Sequence, residues 1–98
     1  MTPGPTTRVR PHPQAVFREL GGDQGAVLLQ LETSGYHEVN TLGALIWGLL
    51  AENPTMSELV EAVDARVTGA PPELADEVGA FVDDLAGREL VVLEPAAA

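Results

Sequence analysis

The chain has 98 residues, 45% of them hydrophobic, with 15 acidic residues against five arginines and with neither lysine nor cysteine. That length suits one domain around one core, and the missing cysteine removes disulfides, thiolate metal sites and a thiol nucleophile. A formal charge of −10 repels phosphate backbones and anionic lipid, so neither nucleic acid nor membrane is an expected partner; the same charge also keeps a small domain soluble.

No apolar run approaches the roughly 18 residues that span a bilayer, and the opening Met1-Thr2-Pro3-Gly4-Pro5 lacks a signal-peptide pattern. With no cysteine to oxidise, the expected location is the cytoplasm.

Residues 1–14 hold four of the eight prolines, Pro3, Pro5, Pro11 and Pro13. They argue against a helix or a central strand, so this segment is expected to be a flexible, extended arm. Its Arg8 and Arg10 are available to fold back on the acidic body. Residues 15–93 are expected to form the domain, and 94–98 a weakly ordered tail.

Residues 15–20 are short and β-friendly, and the glycine-rich segment 21–25 that follows reads as a hairpin turn. The next strand covers 26–31, with Val27, Leu29 and Leu31 on one face. After a turn over 32–35 comes Tyr36-His37-Glu38-Val39, the least apolar of three antiparallel strands and the one expected at a sheet edge.

At Asn40 the apolar period changes from two to about 3.6. Leu42, Leu45, Ile46, Leu49 and Leu50 form the stripe of a first helix capped by Asn40 or Thr41 and running to about Ala51. Pro54 ends it. Thr55-Met56-Ser57-Glu58 is a capping box that opens a second helix, with Met56, Leu59, Val60, Val63 and Val67 inward and Gly69 as its stop.

Pro72 and Glu73 suit the first turn of a third helix, which places Leu74, Val78, Phe81 and Leu85 inward and ends near Gly87. At about 100° per residue this helix has two different shoulders: Glu77 and Asp84 on one side, and Ala75, Gly79 and Val82 on the other. A glycine in mid-helix costs about 1 kcal/mol against alanine, so something must come close to it. Packing against the first helix or the sheet accounts for that closeness, and so does a ligand groove. Residues 90–93 form a last extended segment over the core.

Catalytic chemistry has little to work with. Ser34 sits in a predicted turn and Ser57 in the first turn of a helix, so a nucleophile with a base in reach is not expected. His12 and His37 have no metal-ligand spacing; His37, beside Tyr36 on the edge strand, is either a surface residue or a partner contact. The glycines of 21–25 join strands and do not open a phosphate-binding helix. Cofactors are not expected, and the acidic residues Glu73, Asp76, Glu77, Asp83 and Asp84 fit a solvated helix face.

Three strands, a switch at Val39-Asn40-Thr41 and three helices give an α+β plan. The run Asn40-Thr41-Leu42-Gly43-Ala44-Leu45-Ile46-Trp47, with Gly35-Tyr36 before it and Val78, Phe81, Leu85 and Leu90-Val91 after it, resembles the PqqD-like family, over about residues 15–93. Within that family the chain is most similar to the recognition domains of lasso-peptide biosynthesis. Glu77 stands where an aspartate is common, and the proline-rich arm is longer than usual.

The resemblance implies a winged helix-turn-helix-like body, a three-stranded meander followed by a three-helix bundle. It implies a non-catalytic adaptor that binds the leader of a ribosomally made precursor peptide as an added strand. The partners implied are that leader, a leader peptidase and an ATP-dependent cyclase. The docking residues would be Tyr36, His37, Glu38 and Val39 on the edge strand, with Ala75, Val78, Gly79 and Val82 on the third helix. Two rivals share the fold plan: a winged-helix DNA-binding protein, which the acidic third helix opposes, and a structural subunit that packs on an enzyme without needing the peptide.

Overall fold

The computed structural model describes residues 4–21, 25–69 and 71–95. In chain order the elements are β1 (Arg8–Pro11), β2 (Ala15–Glu19), β3 (Ala26–Gln30), β4 (Gly35–Val39), α1 (Thr41–Leu49) continued by a 3-10 turn over Leu50–Glu52, α2 (Met56–Arg66), α3 (Leu74–Gly87) and β5 (Val91–Glu94). The result is an α+β fold in which β2, β3 and β4 form an antiparallel sheet in that order. The hairpin tip expected between β2 and β3 falls largely on 22–24, outside the described residues. Its flanks Gly21 and Gly25 have φ of 84° and 80°, the left-handed values that glycine tolerates.

Cross-strand register decides which face of the sheet meets the helices. Phe17 lies opposite Leu28, and Leu28 opposite His37. Phe17 stacks on Trp47 of α1, with ring centroids 6.2 Å apart and planes 9° from parallel, so this row faces inward. Val27, Leu29 and Leu31 do share a face, but it is the outer one: Leu29 and Leu31 are exposed, while Ala26, Leu28 and Gln30 are buried.

Gln30 tolerates its burial because its polar atoms are used. Its Nε2 donates to the Glu89 carbonyl at 2.7 Å, and its Oε1 accepts from the Glu32 amide at 2.7 Å, which removes the desolvation cost of an unpaired group. The bond to Glu89 ties the end of β3 to the α3–β5 turn.

The helix starts follow local chemistry. Asn40 caps α1 by accepting from the Gly43 amide at 2.8 Å. At α2 both halves of the capping box are present, Glu58 N–H to Thr55 Oγ1 at 3.1 Å and Thr55 N–H to Glu58 Oε1 at 2.9 Å. The stops are earlier than the sequence suggests. α1 tightens into its 3-10 turn after Leu49, and α2 ends at Arg66, with Val67 already extended but still packed against the core.

The larger correction concerns the arm. Residues 8–11 are not a loose lead-in but β1, paired antiparallel with β5 from Arg8↔Glu94 to Pro11↔Val91. Val9 is fully buried, its amide donates to the Pro54 carbonyl at 2.9 Å, and the amides of Met56 and Ser57 donate to Thr7 and Pro5. Proline is tolerated here because the ribbon has only two strands. The three-stranded sheet is therefore preceded by a further strand, and the buried core includes a residue before position 15. At the other end Glu94 closes β5, while 96–98 of the expected tail lie outside the described residues.

Three substitutions test this packing and capping. Val9→Ala should lower unfolding free energy by about 2 kcal/mol, the usual scale for emptying a well-packed core position, in urea denaturation; a loose arm would give no change. Thr55→Ala should cost about 1 kcal/mol. The Thr55 backbone amide, with smaller help from the Thr55 hydroxyl and Arg8, holds the Glu58 carboxyl below its usual 4.5. A carboxyl lowered on folding stabilises the fold above its unfolded value and stops doing so as pH falls through the folded one. Acid titration of the unfolding free energy should therefore show a smaller loss below pH 4.5 in Glu58→Gln than in the parent chain.

Candidate functional site

β4 is the open edge of the sheet: β3 pairs with one side, and no described strand pairs with the other. Its side chains alternate. Tyr36 and Glu38 point to the outer face and are exposed, while His37 and Val39 point inward, half-buried and buried. Across from this edge lies α3, running in the opposite direction, so that its C-terminal end stands by Gly35 and its middle by Val39.

The space between β4 and α3 is a cleft with two hollows. One, about 280 Å³, is lined by Gly35, Tyr36, His37, Gly87, Arg88 and Glu89 among others. The other, about 120 Å³, lies between the start of α1 and α3 and is lined by Asn40, Leu42, Gly43, Glu77, Val78 and Phe81 together with Ile46. Between them His37 Nε2 comes within 3.4 Å of Asp84 Oδ2, an ion pair when the imidazole is protonated. Asp84 also receives Arg88 Nε at 3.2 Å. The cleft thus carries a polar crossbar with apolar surface on one side of it.

The α3 wall differs from the one expected. Val78 borders the smaller hollow but is almost fully buried, and Val82 is wholly in the core. Ala75 and Gly79 border a separate hollow beside α2, with Met56, Val60 and Pro5. The small shoulder of the helix wheel therefore packs toward α2, and the acidic shoulder lies on the other side, Asp84 against His37 of β4 and Glu77 at the hollow by the start of α1. The wheel showed both shoulders; which one meets the sheet depends on the path of α3 after α2.

Gly43 explains how α1 enters this space. A β-carbon there would lie 2.9 Å from Val39 Cβ and 3.1 Å from Phe81 Cζ, so glycine lets α1, β4 and α3 converge. Of the remaining sequence candidates, Ser34 has a left-handed φ of 61° in the β3–β4 turn, and Ser57 lies in the first turn of α2. His12 accepts from the Gln14 amide at Nδ1 (3.0 Å), which leaves the neutral-ring proton on Nε2, 3.6 Å from Glu32. Among the described residues no group of three His, Asp or Glu could hold a metal ion, and no helix is long and apolar enough to cross a membrane.

The model of the family described as coenzyme PQQ synthesis protein D (PqqD) matches residues 25–91. The chain belongs to the PqqD family. The matched span starts just before β3 and ends on the first residue of β5, so it includes both walls of the cleft. β1 and β2 lie outside it, although β1 supplies a fully buried side chain to this PqqD-family domain.

Two solved structures are similar over most of their length. One is TbiB1 in complex with the TbiA(beta) leader peptide, 30% identical, with a TM-score of 0.70, covering 91% of this chain and 99% of that one. The other is a lasso peptide synthetase B1 complexed with the leader peptide, 20% identical, with a TM-score of 0.67 and coverage of 89% and 98%; at that identity the likeness is one of fold. No curated protein matches the chain.

Gly43→Ala tests the convergence point. Alanine in place of a helical glycine gains about 1 kcal/mol, but overpacking costs about 1–3 kcal/mol, and the Val39 Cβ cannot swing away as a ring end can. The expected result in chemical denaturation is a net loss of about 1 kcal/mol, with the largest amide shifts at Val39 and Phe81.

Proposed function

We propose that this domain is a non-catalytic adaptor that binds the leader of a ribosomally made precursor peptide as an additional antiparallel strand on β4. The observation that carries the reading is the open β4 edge facing α3 across a cleft, in a chain 30% identical to a protein whose structure is a leader-peptide complex. Strand addition gives general affinity through backbone bonds, and alternate side chains entering pockets give specificity. The inward side chains of the leader would meet His37 and Val39 from β4, and Glu77, Phe81, Asp84 and Arg88 from α3. Tyr36 and Glu38 would flank its outward ones.

The bound leader is then presented to a leader peptidase and an ATP-dependent cyclase in lasso-peptide biosynthesis, in the cytoplasm. In this reading the helices and the β1–β5 ribbon act as a winged helix-turn-helix-like body turned to peptide recognition. Use of that body on DNA is opposed by its charge, because the cleft-facing side of α3 carries Glu77 and Asp84 where a DNA reader needs bases.

Titration with the leader of a precursor peptide encoded beside this chain, followed by amide chemical shifts, tests the proposal. Saturable binding with shifts at Gly35, Tyr36, His37, Glu38 and Val39 and at Phe81, Asp84 and Arg88 is the expected result. Absence of binding at high micromolar peptide, or shifts confined to the α2 side at Ala75 and Gly79, would remove the β4–α3 cleft as the docking site.

A further inference from the structure

We infer that the cleft selects a leader carrying a Lys or Arg in the N-terminal half of its docked segment, and that Glu77 is the specificity-determining residue that reads it. The inference rests on the docking reading above and adds a chemical class to it. The direction follows from the topology. A strand added antiparallel to β4 passes Val39 first and Gly35 last, so its N-terminal half runs beside Phe81 and Glu77, and its C-terminal half beside Arg88.

The two acidic residues of this wall are not equivalent. Asp84 is already engaged by His37 at 3.4 Å and by Arg88 at 3.2 Å. Glu77 is exposed and makes no side-chain ion pair or hydrogen bond among the described residues. Of the five arginines, Arg8, Arg10 and Arg88 are paired with Glu58, Glu94 and Asp84, Arg66 bonds the Ala62 carbonyl, and Arg18 lies on β2, at the opposite edge of the sheet from β4. Among the described residues no arginine is therefore paired with Glu77.

The surroundings suit a long basic side chain. Glu77 stands at the rim of the hollow formed by Leu42, Gly43 and the half-buried Phe81, where a methylene stem can lie on apolar surface while its charged head stays at the carboxylate. The Phe81 ring adds a face for the cation. Glu38 is exposed on the outer face of β4, so an acidic leader residue at this end would meet negative charge whether its side chain pointed inward to Glu77 or outward to Glu38.

Spacing gives a register. Glu77 precedes Asp84 by seven positions on α3, about 10 Å of helix, which a strand covers in about three residues. Because inward positions alternate, the basic residue lies about two or four places N-terminal to the leader residue that faces His37.

The test uses the full chain and a fluorescein-labelled synthetic leader of the precursor encoded beside it, followed by anisotropy. Glu77→Lys is expected to weaken binding about tenfold and Glu77→Gln about threefold, on the scale of rim charge pairs. A leader in which one Lys or Arg of the N-terminal half is changed to Glu should regain the loss with Glu77→Lys and with no other variant. Asp76→Lys, which makes the same charge change in the same helical turn but faces α2, should stay within about twofold of the parent chain.

If the parent chain binds with β4 amide shifts and Glu77→Lys binds equally well, the charge selection is wrong while the docking reading stands. Equal losses in Glu77→Lys and Asp76→Lys would reduce the effect to overall charge and overturn the role of Glu77. No binding by the parent chain would take both readings down. Circular dichroism of each variant, with Glu77→Gln as the mildest change, separates lost binding from lost fold.

Discussion

Three elements meet at Gly43, and the cleft depends on that meeting. With Val39 Cβ and the Phe81 ring both close to where a side chain would begin, the first turn of α1 sits directly against the end of β4 and the middle of α3. The Asn40 cap makes the junction rigid, since the residue that ends the strand environment also satisfies the Gly43 amide. The distance between the open strand edge and the helix therefore depends on there being no side chain at position 43, where the Val39 Cβ and the Phe81 ring take the space. A larger residue at position 43 would move a wall of the cleft.

Around that junction the charges are distributed unevenly. Arg8 and Arg10 are spent along β1, near the start of α2 and the end of β5, and Arg88 lies at one end of the cleft with Asp84. The other end is left to Glu77 and Glu38. Exposed pairs of this kind contribute little stability, about 0–1 kcal/mol each, so their placement bears more on what approaches the cleft than on how firmly the domain folds. Stability comes instead from the continuous buried cluster, in which Val9 of β1 and Val91 of β5 join residues from all three helices.

The outer face of the sheet has a different character. Leu29 and Tyr36 are cross-strand neighbours there and both are exposed, with Leu20 and Leu31 at the strand ends also exposed. They are the sheet's spare apolar face, created because the Phe17–Leu28–His37 row was drawn inward by the Trp47 stack.

Much of this architecture is local and was legible in the residues themselves. The change of period at Asn40, the capping box at Thr55, the positive-φ glycines and the weakly apolar edge strand all depend on neighbours within a few positions, where steric and hydrogen-bonding rules act directly. The family resemblance covered most of the chain for the same reason, since its motif is a contiguous run.

Local pattern alone thus gave the three strands of the sheet and the three helices in their order, and most of each apolar stripe, although Trp47 and Val82 are buried where the stripes expected Leu45 and a shoulder position. Three matters were decided only by tertiary structure. β1 exists because β5, more than 70 residues away, offers a partner for backbone groups that proline-rich local sequence would otherwise leave to water. The face of β3 that became the core was chosen by an aromatic stack between a strand and a helix. The α3 shoulder that lines the cleft was chosen by the course of the chain from α2. Each is a contact between segments distant in sequence, and periodicity, which says that two faces differ, contains no information about which neighbour each one meets.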